Sequence, residues 1–101
     1  MTPSTRPRVM VVVGTRPEAI KMAPVVHALR KRSEVVECEL VLTGQHRELV
    51  DQVLRVFRLH PDHDLGIMRD GQTLYQVAEG CMAGLRGLVE RHRPGMILVQ
   101  G

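Results

Sequence analysis

Gly14, Thr15, Arg16, Pro17 and Glu18 follow directly on the apolar run VMVVV. Their order suits an anion. Gly14 lets the backbone turn tightly and come close to a ligand. Thr15 and Glu18 have the spacing of a capping box at a helix start, with Pro17 in the first turn. The amides of such a start carry partial positive charge and face outward. Arg16 adds a planar guanidinium suited to phosphate. A cation at the positive end of a helix dipole is out of place unless something negative sits beside it. The same spacing also permits a plain N-cap with Arg16 turned into solvent. Lys21 follows closely and could add a second cation to the same anion, although a lysine facing solvent is the commoner outcome. The pattern is neither GxGxxG nor a P-loop, so it does not point to a dinucleotide or to ATP.

The stretch TGQHRE, residues 43–48, repeats the layout of strand end, glycine, polar residues and helix. It places Gln45, His46 and Arg47 at the same sheet edge as Arg16, which favours an anionic ligand more than either edge does alone. HPDHD, residues 60–64, offers two His and two Asp, but no complementary ligand cluster is evident, so a solvated turn and no metal is expected there. His27 and His92 read as lone structural histidines on helices. No Ser-His-Asp or Cys-His arrangement is present, nor a pair of carboxylates at a strand end. A receiver-type phosphoacceptor domain is excluded, because GTRPE stands where its acidic residues would be.

These residues need elements to hold them. Residues 9–13 form a continuous apolar run, the mark of a strand buried on both faces in a parallel sheet. Residues 38–43 and 96–99 give two more strands. Residues 46–58 and 72–92 each carry apolar positions on one helical face. Gly80 and Gly84, one turn apart in the second of these, would let another element approach closely. Pro24 makes the first helical segment either one kinked helix over residues 17–32 or a turn leading into a shorter one. Residues 60–71 read as one long polar connection. Residues 1–8 read as a disordered lead-in, leaving 9–101 as the folded part. Three parallel strands with intervening helices give an α/β fold, the opening half of a doubly wound Rossmann-like sheet whose ligands bind beyond the carboxyl ends of the strands. With only three strands, an exposed strand and an unfinished core are expected.

The 101 residues are 44% hydrophobic and 25% charged, an ordinary globular composition for one small domain. Aromatic content is 2% and there is no continuous basic stripe, so the net charge of +3 does not indicate nucleic-acid binding. Acids and bases alternate along the chain. Cys38 and Cys81 fit no metal spacing and read as small buried hydrophobes in a reducing compartment. No window has the apolar length of a membrane span or a secretory signal, so a cytoplasmic location is expected.

GTRPEAIKMAPVV, TGQHRELVDQVL, PDHDLGIM, GQTL and ILVQG, in this order, resemble the start of the non-hydrolysing UDP-N-acetylglucosamine 2-epimerases from about Val9 to Gly101. The resemblance implies the N-terminal part of a two-domain GT-B fold, a bacterial cytoplasmic homodimer at full length, and envelope polysaccharide synthesis. It implies interconversion of UDP-N-acetylglucosamine and UDP-N-acetylmannosamine by loss and re-addition of UDP, with no NAD or other cofactor. Carried over, Gly14, Thr15 and Arg16 fall at the nucleotide phosphates, and Lys21 matches a lysine needed for activity. Gln45 and Gln72, with His46 beside the first, match positions that in some members touch a second, activating UDP-sugar. Gly71 stands where such members often carry a cation, which argues against that activation. The family continues with an acid/base aspartate after QG and with later glutamates, a histidine and a uridine-binding domain. The 101 residues alone are therefore expected to be inactive. The alternatives are a nucleotide-sugar-binding module without catalysis and a GT-B glycosyltransferase, although the latter would not be expected to carry this string of motifs.

Overall fold

The computed structural model describes residues 6–45 and 47–100. Strands and helices alternate along them as β1 (Arg8–Val13), α1 (Arg16–Arg30), β2 (Glu37–Leu42), α2 (Arg47–Val56), β3 (His63–Asp64), α3 (Leu74–His92) and β4 (Met96–Val99). The sheet has the order β3-β2-β1-β4. All its pairings are parallel, with Val13 beside Leu42 and Val12 beside Val99.

The continuous apolar run of β1 is explained by cover on both sides. Val9, Val11 and Val13 pack with Leu40 and Leu42 against Ala19, Met22 and Val26 of α1 and Val50, Val53 and Leu54 of α2. Met10, Val12 and Val41 pack on the opposite face with Leu88 of α3. The chain steps outward from β1 to β3 under α1 and α2. It then returns across the other face through α3 and lays β4 beside β1. That is the doubly wound Rossmann-like order, and the crevice between β1 and β4 is its switch point.

Several sequence expectations change. The sheet among the described residues has four strands, not three. Residues 60–71 are not wholly a connection, because they contain β3. The Asp62 amide donates to Leu40 O and the Leu65 amide to Leu42 O, both at 2.8 Å. A two-residue polar edge strand has no apolar alternation to reveal it. β1 begins at Arg8, inside the expected lead-in, because Arg8 is held by ion pairs to Glu37 and Glu39. Residues 1–5 lie outside the described residues. Cys38 and Cys81 are half-buried rather than fully buried.

Of the two readings of the first helix, the continuous one holds: α1 runs through Pro24. Gly80 and Gly84 admit the segment after β3, as their spacing suggests. A methyl group at Gly84 would lie 3.0 Å from Leu65, and one at Gly80 3.3 Å from Ile67. Met96, Ile97 and Val99 of β4, the third strand read from the sequence, are exposed as expected, and so are Leu74, Tyr75 and Met82 of α3. No helix among the described residues is long and apolar enough to cross a membrane.

Candidate functional site

Gly14 is buried where β1 ends, and Thr15, in extended conformation, is the N-cap of α1. The expected capping box does not form. Thr15 makes no side-chain cap bond to the first turn. Its hydroxyl instead donates to Glu18 Oε2 at 3.0 Å, and Glu18 Oε1 accepts the Gly14 amide at 2.9 Å. Glu18 thus pins the turn before the helix and leaves the amides at the helix start to other partners. On α3, by contrast, Thr73 and Gln76 complete the reciprocal box.

Arg16 and Lys21 are exposed. Neither is in an ion pair among the described residues. Five residues apart on one helix, they are separated by about 7.5 Å along the axis and about 140° around it. The helix alone does not bring them together, so a shared anion would have to span that interval.

The carboxyl end of β2 meets this edge directly. Thr43 is buried and its amide donates to Val13 O at 3.0 Å. Its hydroxyl lies 3.4 Å from Gln45 Oε1. A methyl group at Gly14 would lie 2.5 Å from that same Gln45 oxygen. Gly44 takes φ +98°, and a side chain there would strike the backbone of Gly66 at 2.9 Å. The Ile67 amide closes the contact on Thr43 O at 3.0 Å. Three strand ends therefore converge, carrying Gly14, Gln45 and Gly66.

Other candidates are already committed. Gln72 donates to Ile67 O at 2.7 Å and accepts the Arg69 amide at 2.7 Å, so it shapes its own loop. Gly71, beside it, takes φ +73°. Arg47 faces Asp64 at 3.5 Å. His46 lies outside the described residues. His27 is structural as expected, with Nε2 2.6 Å from Phe57 O. Cys81 of α3 backs the edge: burial raises its thiol above the ordinary value, and the Glu18 carboxylate raises it further.

His92 is not alone. Its Nδ1 lies 3.1 Å from Glu39 Oε1, and His63 Nε2 lies 2.8 Å from Glu39 Oε2. This cluster sits toward the amino end of the sheet, away from the glycine edge. Separations of 24 and 29 residues hid it. The available signal was Glu39 itself, a carboxylate inside a buried strand, which is costly unless partnered.

A family profile described as UDP-N-acetylglucosamine 2-epimerase matches residues 27–101. A UDP-N-acetylglucosamine 2-epimerase of Yersinia pestis is 50% identical over 94 residues, which are 93% of this chain and 25% of that protein. One of Escherichia coli K12 is 47% identical over the same shares. The structure of the Neisseria meningitidis UDP-GlcNAc 2-epimerase bound to UDP-GlcNAc superposes with a TM-score of 0.85 at 41% identity, over 93% of this chain and 26% of that one. The chain thus spans about a quarter of the length of the relatives it matches.

Proposed function

This chain belongs to the UDP-N-acetylglucosamine 2-epimerase family, and from that we propose that it supplies the phosphate-side edge of an enzyme interconverting UDP-N-acetylglucosamine and UDP-N-acetylmannosamine. One observation carries the reading. At the switch point of the sheet, the start of α1 keeps its amides free of the Thr15 side chain, and Arg16 and Lys21 stand beside it without ion pairs among the described residues.

In the proposed reaction a base removes the proton at carbon 2 while the bond from carbon 1 to the UDP oxygen breaks. The electron pair of the C–H bond becomes the carbon 1–carbon 2 double bond. UDP then adds back and the proton returns to the other face. No electrons enter or leave, so no NAD is needed. The departing diphosphate gains negative charge in the transition state. The α1 amides, fixed before the reaction, and the Arg16 guanidinium would stabilise that charge, and Lys21 would hold its far side. Gly14 leaves room for the Gln45 side chain against the turn, and Thr15 and Gln45 would stand beside the phosphates.

The two carboxylates bonded into this edge are not free to act as the base. Glu18 is committed to Gly14 and Thr15. Asp64 is committed to Gly66 and Arg47. The 101 residues are therefore proposed to bind nucleotide diphosphate without turnover, the base coming from the remaining three quarters of an epimerase. On the same reading they are part of the N-terminal Rossmann-like domain of a GT-B fold. The full enzyme is proposed as a cytoplasmic homodimer serving envelope polysaccharide synthesis. Activation by a second UDP-sugar at Gln45 and Gln72 is disfavoured, because Gln72 is bonded within its own loop.

A chimera tests this: the Yersinia pestis enzyme with its 94 matched residues replaced by those of this chain. The expected result is epimerisation that falls about 100-fold in kcat/KM on Arg16→Ala. A folded chimera without activity, or one indifferent to Arg16→Ala, would refute the proposal.

A further inference from the structure

We propose that Glu39, His63 and His92 form a divalent transition-metal site of the zinc class that staples α3 to the amino side of the sheet, separate from the nucleotide edge. Each offers one ligand atom, and these atoms lie within 4.8 Å of one another. They come from β2, β3 and the last turn of α3, so one ion would tie together three elements distant in sequence. Two imidazoles and a carboxylate are a donor set that suits zinc, cobalt or nickel.

Burial supports the assignment. Glu39 is only 8% exposed, and both histidines are half-buried with their rings 5.0 Å apart. Three protein donors leave the fourth position of a tetrahedral ion to a water. Bonds of about 2.0–2.2 Å to one ion are what the proposal requires of these three donors. The site lies four residues of β2 from Thr43, about 13 Å of strand.

Arg8 is the competing cation, and its contacts allow both states. It lies 3.0 Å from Glu39 Oε1 and 3.3 Å from His92 Nδ1. It also pairs with Glu37 at 3.1 Å and donates to His92 O at 2.8 Å. It can therefore give up Glu39 and stay anchored. Its charge weakens the site, so binding in the micromolar range is expected. On binding, the nitrogen facing Glu39 must present its lone pair, so in a neutral imidazole the proton moves to the other ring nitrogen.

The full 101-residue chain, freed of metal with a chelator, is titrated with zinc chloride by calorimetry and with cobalt chloride by visible absorption. One saturable equivalent is expected, weakened at least tenfold by Glu39→Gln and by the double variant His63→Gln, His92→Gln. His27, His46 and His60 remain in both variants as a control for adventitious binding. In case the variants fail to fold, ring-nitrogen NMR of the unaltered chain decides: the signals of His63 and His92 should shift on zinc addition. No saturable binding, binding unchanged in a folded double variant, or shifts confined to the other three histidines would overturn the proposal and leave the cluster a hydrogen-bonded latch.

Discussion

Glu18 reaches back four residues to accept the Gly14 amide at 2.9 Å, so the turn between β1 and α1 is held by a carboxylate and not by the N-cap side chain. Replacing Thr15 by Ala should therefore cost no more than about 0.5 kcal/mol, below the usual loss of a cap. Glu18→Ala should cost about 1–2 kcal/mol, because it removes the acceptor for both Gly14 and Thr15. Urea unfolding of the two variants reads the difference, and the reverse order would contradict the assignment.

Gly14 and Gly44 have different reasons to be glycine. At Gly14 an added methyl group meets first the end of the flexible Gln45 side chain. Gly14→Ala should change stability by less than about 1 kcal/mol, since Gln45 can move, yet weaken nucleotide binding at least tenfold. At Gly44 the left-handed φ and the backbone of Gly66 both stand in the way. Gly44→Ala should cost about 2 kcal/mol or more. Paired unfolding and binding measurements separate these two outcomes.

The thiols give the chain an alkaline limit. Burial lifts Cys38 and Cys81 above their ordinary value of 9.0; at Cys38 the Arg30 guanidinium works against burial. The folded state thus holds these protons more tightly than the unfolded one. Their contribution to stability is complete below about pH 9 and is lost as pH rises through the folded values. Urea midpoints should fall between pH 8 and 10, and fall less in the double variant Cys38→Ser, Cys81→Ser. Equal slopes in both would contradict the expectation.

Much of the fold was legible because it rests on local patterns. The apolar runs at β1, β2 and β4 and the one-sided faces of α2 and α3 each carry their own signal. Gly80 and Gly84 announced a close approach, although not that Leu65 and Ile67 would fill it. β3 was hidden because its two residues, His63 and Asp64, are polar and at the edge of the sheet. The glycine edge could be read because a strand end, a glycine and a helix start lie within five residues. The Glu39 cluster could not, because it is assembled by the crossover through α3. Thr15 misled because the capping-box spacing says nothing of which way the hydroxyl donates.

The proposed function depends on the anion site at Gly14, Arg16 and Lys21. The most direct test is a titration of the 15N-labelled 101-residue chain with UDP, followed by NMR, before and after Arg16→Ala. Saturable shifts at the amides of residues 14–16, 18–21 and of Gln45, weakened at least tenfold by the substitution while dispersion is kept, are the result predicted. A folded chain whose amides at this edge do not respond to UDP, or respond equally without Arg16, would contradict it.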